Sequence, residues 1–471
     1  MKLVLPFIFL FSGVLCAQNN LVPAAGGGEA PLNLHDEITP EMRAKIMEDI
    51  QQNEDYIKTI GKWPATFGQK TSSVSLNFPL AWNDGFSDYG FYGISNYADH
   101  NVAFPNVLTD YNCGTRTYDT EGGYNHQGID YFLWPFYWKM MEDEAVKIVA
   151  AAPGMIVGRY DGQFDQNCAF NPGSWNAVYV RHDDGTLAWY GHMKNGSLTD
   201  KGLGELVEVG EYLGLVGSSG NSTGPHLHFE VYDAENNLID PYSGACNAWN
   251  ATSWWAVQTD YIEPRVNRIM THDVPPVFNP CPEPETPNEQ NTFSPGQTAY
   301  FAIYLADVSE TDLIHLKIAD ALGTVFYEWD FYQPLTYYSA SYWYWWYTLP
   351  DSPQGIWTWE ATLDGEVYTH NFQVGEAISV TDKSVTTDRL NAYFSDETLQ
   401  IMLFANDMSD YKLQVYTPTG QLLHTEQVQA QPGSNVINIS TNTWSKGMYI
   451  ISAEPLSGEN HNSLTTKALT Y

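Results

Sequence analysis

The sequence predicts an all-β protein, an antiparallel core followed by β-sandwich domains, with a short helix near its N-terminus. Three observations carry the prediction. Apolar and polar residues alternate over short runs from about 76 to 265, again from 293 to 376, and again from 396 to 471. Turn signals such as Asp184-Gly185 and Pro418-Thr419-Gly420 punctuate those runs. A helical period appears only near residue 40.

The chain has 471 residues, enough for about three domains. Lys and Arg number 21 and Asp and Glu 56, a net charge of −35 that repels phosphate backbones and argues against a nucleic-acid partner. Hydrophobic residues at 43% support real cores and exclude a mostly disordered chain.

The elements follow in order. Met1-Lys2, the apolar stretch Leu3 to Leu15 and Cys16-Ala17 read as a signal peptide over 1–17, cleaved after Ala17. No other run approaches membrane length, so the exported chain is expected to have no transmembrane segment. The four remaining cysteines, Cys113, Cys168, Cys246 and Cys281, are an even number in an exported chain and read as two disulfides. None lies in a Cys-x-x-Cys pair, which argues against a zinc ribbon.

Residues 18–75 form a leader, Gly/Pro/Ala/Asn-rich up to 38. Thr39 as N-cap, Pro40 at the first helical position and Gly61 past the end bracket a helix, with Met42, Ile46 and Ile50 on one face. An isolated amphipathic helix ahead of the β-rich region is read either as a propeptide covering a groove or as a plain docking element.

In the 76–265 domain, Asn176 to His182 and Thr186 to His192 form a hairpin around Asp184-Gly185. Glu205 to Val216 supplies two short strands broken at Gly210, and His226 to Tyr232 another. Residues 266–292, rich in proline and acid, read as a linker. The 293–376 domain is a β-sandwich containing Tyr342-Trp343-Tyr344-Trp345-Trp346-Tyr347, whose alternation puts aromatics on both faces of one strand. One face must be core. The other either stacks on sugar rings or is buried by a neighbour. A second linker, 377–395, precedes the 396–471 block of short strands.

Chemistry concentrates in two places. In Gly224-Pro225-His226-Leu227-His228-Phe229-Glu230 a strand would send Leu227 and Phe229 to a core and His226, His228 and Glu230 the other way. Two adjacent imidazoles on one face imply a metal, a shared proton or a substrate. His126 and Asp130, four apart, share a face in strand or helix, and Gly128 between them allows a tight turn. Two histidines and one aspartate make a three-ligand set typical of catalytic zinc, with a fourth position left open. The helical His-Glu-x-x-His motif is absent.

These residues resemble the lysostaphin-type, LytM-like zinc metallopeptidases: His126-x-x-x-Asp130, Tyr190-Gly191-His192 and His226-Leu227-His228-Phe229-Glu230 fall in the family's order, with Val209 to Gly220, Ser222 to Pro225 and Asp240-Pro241 similar as well. The resemblance covers about 110 to 245 and implies a barrel-like antiparallel core. It implies one zinc ion per chain on His126, Asp130 and His228, with His192 and His226 as the catalytic pair serving a zinc-activated water. Such a metal group carries a net charge of about +1, favourable to an oxyanion. An insertion, Asp161 to Ser174, and the aromatic stretch Tyr131 to Trp138 depart from the family and are expected to reshape the groove.

The last block resembles the type A sorting domains of type IX secretion, through Lys412 to Tyr416, Pro418-Thr419-Gly420, Lys446 to Ile450 and Thr465 to Leu469. This implies a Gram-negative source, passage through the periplasm, the type IX machinery as a partner, and a secreted or cell-surface product.

The sequence therefore reads as a secreted zinc metalloendopeptidase acting on peptidoglycan cross-links or glycine-rich peptides. The alternatives are degradation of glycine-rich extracellular proteins, or a catalytically dead wall- or carbohydrate-binding protein. The disulfides are expected as Cys113–Cys168, tying the insertion to the segment before His126, and Cys246–Cys281, pinning the linker to the peptidase.

Overall fold

A computed structural model describes residues 21–31, 35–65, 67–68, 74–171, 173–375, 389–395, 398–405, 408–417, 421–431, 433–441, 444, 447–456 and 464–470. The expected signal peptide, most of the second linker, the Pro418-Thr419-Gly420 turn and Lys446 lie outside the described residues. The chain forms two compact units, 1–377 and 378–471.

The leader contributes β1 (Gly26–Glu29) and α1 (Pro40–Thr59). The Thr39 hydroxyl accepts from the Met42 N–H and Gly61 follows with φ +72, so the helix has the boundaries its capping residues dictate. It is docked. Ile50 and Ile57 are buried, and with Met42, Ile46 and Met47 they pack on Val157, Tyr179, Trp189 and Tyr232.

The peptidase region then runs β2 (Leu80–Trp82), β3 (Tyr92–Asn96), β4 (Ile129–Leu133), α2 (Tyr137–Glu142), β5 (Val146–Val149), β6 (Gly154–Tyr160), β7 (Ala177–His182), β8 (Leu187–Gly191), β9 (Leu206–Val207), β10 (Tyr212–Leu215), β11 (His226–Tyr232) and β12 (Leu238–Ile239). The main sheet has the order β3-β4-β11-β8-β7-β6-β9, with β12 paired to β11, and a small sheet β10-β5-β2 lies beside it. The hairpin, the break at Gly210 (φ +78) and the histidine strand all form where the alternation places them. Leu227, Phe229 and Val231 enter the core shared with Ile129, Val178, Val180 and Tyr190.

The sandwich comprises β13 (Arg265–His272), β14 (Thr292–Phe293), β15 (Thr298–Ser309), β16 (Ile314–Ala319), β17 (Val325–Phe331), β18 (Tyr337–Thr348), β19 (Gly355–Leu363) and β20 (Glu366–Val374). One sheet is β1-β18-β15-β13 and the other β14-β20-β19-β16-β17. The stretch 266–292 is therefore not all linker. Its first residues form most of β13, because Val266, Ile269 and Met270 have apolar faces to fill.

Both faces of the aromatic strand β18 are used. Trp343 and Trp345 fill the core between the sheets. Tyr342 packs on Phe278 and Tyr304 in a cluster that includes Phe132, Trp134 and Phe136. The aromatic stretch after β4 thus builds the contact between peptidase and sandwich, where Arg116 and Asp307 also form a buried ion pair at 2.6 Å.

The disulfides join Cys113 to Cys246 and Cys168 to Cys281, which corrects the pairing expected from the sequence. The Cys246 N–H donates to the Tyr111 carbonyl, so those two loops are already side by side. The insertion instead turns toward the stretch after β13. The second unit holds β21 (Arg389–Ser395), β22 (Thr398–Ala405), β23 (Ser409–Tyr416), β24 (Leu422–Ala430), β25 (Gly433–Ser440), β26 (Gly447–Pro455) and β27 (Leu464–Thr470), in two sheets around Leu399, Ile401, Leu413, Val415 and Ile451.

Candidate metal centre

β11 runs inside the main sheet, and its register sets His228 opposite Asp130 on β4 and opposite Gly191 on β8. His126 enters just before β4, and His192 just after β8 in a left-handed conformation (φ 59) that non-glycine residues rarely adopt. All five predicted side chains meet on one face of the sheet, and all are buried.

Three side chains converge. His126 Nε2 lies 3.1 Å from Asp130 Oδ2 and 3.3 Å from His228 Nδ1, and His228 Nδ1 lies 2.9 Å from Asp130 Oδ1. Ligands about 2.0–2.1 Å from a tetrahedral zinc stand roughly 3.3 Å from one another, so the spacing suits that ion. Gly128 is needed for space rather than for a turn. A Cβ there would lie 2.5 Å from His228 Cε1.

The ring orientations are fixed from behind. His126 Nδ1 donates to the Tyr97 carbonyl at 2.8 Å, His192 Nδ1 to Ser219 at 2.6 Å, and His226 Nδ1 to Gly224 at 2.8 Å. His228 is held the other way round, with Nε2 donating to Glu230 at 2.8 Å. Each ring thereby turns its other nitrogen toward the centre, where it can bind a metal once deprotonated. The His192 and His226 ring centroids are 4.6 Å apart, and His226 Nε2 is buried without a hydrogen-bond partner.

A sixth residue reaches the same point, one that no motif or periodicity marks. Asp36, from the leader, places Oδ2 2.6 Å from His228 Nδ1 and 2.9 Å from His192 Nε2. It belongs to both groups of side chains that could hold a metal: Asp36, His126, Asp130 and His228, and Asp36, His192, His226 and His228. The leader reaches it by pairing. The His35 N–H donates to Thr223 Oγ1, Asp36 bridges to Ser222, and the Glu37 N–H donates to the Asn221 carbonyl. Tyr118 and Tyr124 both donate to the Asp36 carboxylate. Just beyond, Arg43 at the start of α1 forms a two-pronged ion pair with Glu230, so the leader grips the site on both sides of Asp36.

The electrostatics call for a cation. Burial pushes the Asp36 carboxyl up, but the His228 charge and the facing His192 and His226 imidazoles outweigh it and hold it well below the usual range. Asp130 is likewise held low against burial, chiefly by His126. Burial pushes His228 down, but Asp36, Asp130 and Glu230 overcome that and hold it well above an ordinary imidazole. Positive charge is wanted where His228 Nδ1 points. Two imidazole nitrogens, a carboxylate and the unpartnered His226 nitrogen nearby fit a divalent ion there.

Part of the chain is similar to known proteins. The chain is 34% identical over 106 residues to the DD-carboxypeptidase/endopeptidase Mpg of Neisseria meningitidis, covering 22% of this chain and 20% of that protein. It is 29% identical over 126 residues to the glycyl-glycine endopeptidase ALE-1 of Staphylococcus capitis, covering 26% of this chain and 29% of that one. The chain thus spans less than a third of the length of either relative. The catalytic domain of lysostaphin from Staphylococcus simulans aligns at 23% identity and a TM-score of 0.20, over 32% of this chain and 89% of that domain. Residues 125–241, which contain His126, Asp130, His192, His226 and His228, match the Peptidase family M23 model, and residues 395–467 match that of the secretion system C-terminal sorting domain.

Proposed function

We propose that the chain is a secreted zinc metalloendopeptidase, exported with its own leader seated in the active site. The observation that carries this reading is the convergence of five buried side chains on one point whose remaining position is filled by Asp36. His126, Asp130 and His228 would hold one zinc ion. When bound, zinc polarises a peptide carbonyl and makes a neighbouring water acidic enough to lose its proton near neutral pH. His192 and His226 would take up and return that proton at Nε2, since their Nδ1 atoms are tied to the Ser219 and Gly224 carbonyls.

With Asp36 as a fourth donor the group is closed and, with two carboxylates against a divalent ion, electrically neutral. With Asp36 withdrawn it is open and positive. Closed sites are structural and open ones catalytic, so the leader is read as a latency device. The helix contributes an anchor, and the inhibitory atom lies upstream of it.

The substrate is read as a peptide bond in peptidoglycan cross-links or in glycine-rich peptides, in keeping with the similarity to a peptidoglycan DD-endopeptidase of Vibrio cholerae and to the glycyl-glycine endopeptidase of Staphylococcus capitis. The sorting domain points to type IX export through the periplasm to the surface of a Gram-negative cell. Among the described residues no helix is long and apolar enough to cross a membrane. Carbohydrate adhesion by the aromatic strand finds little support, since Trp343 and Trp345 are core and Tyr342 is covered. The test is zymography of the leader-freed protein on cell walls and on a glycine-rich protein, with and without a chelator. Clearing abolished by the chelator and restored by zinc is expected. No clearing on either substrate sinks the reading.

A further inference from the structure

The leader also occupies a second place. Before reaching the metal centre, residues 21–30, Leu-Val-Pro-Ala-Ala-Gly-Gly-Gly-Glu-Ala, lie along the sandwich. β1 is an added antiparallel strand on β18, with Gly26 opposite Tyr344, Gly27 opposite Trp343 and Gly28 opposite Tyr342. The Ala25 and Ala30 N–H groups donate to the Tyr344 and Ala340 carbonyls at 2.9 and 3.0 Å, and Trp345 Nε1 donates to the Pro23 carbonyl at 3.2 Å. The contact is mostly main chain, with Val22 and Ala24 resting on the sandwich core. The other edge of β18 is taken by β15 along its length, so β1 is what covers this edge.

The seat is shaped for glycine. A Cβ on Gly26 would lie 2.1 Å from Tyr344 Oη, and one on Gly27 would lie 2.1 Å from the Tyr342 carbonyl oxygen. Gly27 and Gly28 have φ of +121 and +151, open only to glycine without strain. The first obstacle is a side chain, but the second is backbone and cannot yield cheaply.

We infer that, resting on the reading of this chain as a peptidase freed from its leader, the β18 edge is a substrate-binding site that takes an extended polypeptide rich in glycine and small apolar residues as an added strand. Main-chain hydrogen bonds would supply the affinity, and the Tyr344 ring and the Tyr342 carbonyl the preference for glycine. The leader marks a path from this edge to the metal centre. Glu29 and Asp36 are seven residues apart, at most about 25 Å of extended chain. A glycine-rich protein can hold both places at once, whereas a short cross-bridge cannot.

The test uses the full chain carrying Gly27→Val, which unseats β1 and leaves Asp36 unchanged. The probe is a fluorescent decapeptide copying residues 21–30, with a control peptide bearing the same G27V change. The probe should bind the variant chain and not the unaltered chain, whose edge is occupied. The control should bind at least about tenfold more weakly. If the variant does not fold, Gly28→Ala replaces it, because its Cβ meets nothing within 4 Å and only φ is strained. A folded variant that fails to bind the probe, or binds both peptides alike, overturns the inference. Chelator-sensitive hydrolysis, measured separately, distinguishes the two readings. Hydrolysis without binding removes the edge site alone. Binding without hydrolysis of any peptide removes the peptidase reading alone.

Discussion

Asp36 Oδ2 lies 2.6 Å from His228 Nδ1, the same nitrogen that faces Asp130 Oδ1 at 2.9 Å. A residue from outside the M23 match therefore stands at the position that the proposed zinc would need open. Both carboxylates accept at one ring nitrogen because Glu230 holds the other, so the leader competes for the atom on which the site depends.

Replacing Asp36 should release the site. In the full chain, Asp36→Ala should keep α1 docked through the Arg43–Glu230 pair while removing the fourth donor and, with it, the acceptor of Tyr118 and Tyr124. Peptidase activity should rise at least about tenfold over the unaltered chain, because the competent fraction grows as the closed state loses its bond. Steady-state hydrolysis before and after removal of the leader checks this. Equal activity in both chains would show that Asp36 does not hold the enzyme latent.

Ligands and acid–base residues should fail differently. His228→Ala removes one of three donors, and both zinc content and activity should collapse. His226→Ala should keep zinc and lose turnover by roughly 10²–10⁴-fold, as expected of a positioned acid–base group. Metal content measured beside activity separates the two. Equal zinc loss in both variants would make His226 a ligand.

The candidate site is legible because its residues lie on strands, or next to their ends, whose alternation and spacing are visible. His226, His228 and Glu230 share a face by period two, and the pairing of β4 with β11 brings Asp130 opposite His228. Asp36 was not legible. It lies in a leader ninety residues before His126, where no periodicity links it to the sheet, and its position depends on pairing with Asn221 to Thr223. Gly128 was read as a turn residue because sequence shows flexibility but not the imidazole that needs its space. The strand β13 was hidden by the prolines that follow it.

The cysteine pairing is not legible for a related reason: proximity along the chain is not proximity in space. Non-reducing peptide mapping should recover Cys113 with Cys246 and Cys168 with Cys281. The bridges span 133 and 113 residues, so each removes about 4–5 kcal/mol of denatured-state freedom in the chain-entropy model. Removing Cys168 and Cys281 together as serines should lower the denaturant midpoint while zinc binding persists. A peptide joining Cys113 to Cys168 would refute the pairing.

The sandwich should weaken in mild acid through His272. This residue ends β13, is buried, donates from Nδ1 to the Pro287 carbonyl at 2.7 Å and has the Tyr304 hydroxyl 3.1 Å from Nε2. Burial is the largest influence and pushes its pKa down to about 4. The folded chain therefore keeps this ring neutral between about pH 6.5 and 4, whereas the unfolded chain protonates it. Where the unfolded state binds more protons, stability falls as pH falls. His272 thus costs nothing above about pH 7, and its penalty grows through the window and levels off below pH 4 at about 3 kcal/mol. Hydrogen exchange of β13 and β15 amides, corrected for intrinsic rates, reads this directly. Between pH 7 and 4 the unaltered chain should lose about a hundredfold more protection than a His272→Gln chain, which cannot titrate there. Parallel losses in the two chains would place the acid sensitivity elsewhere.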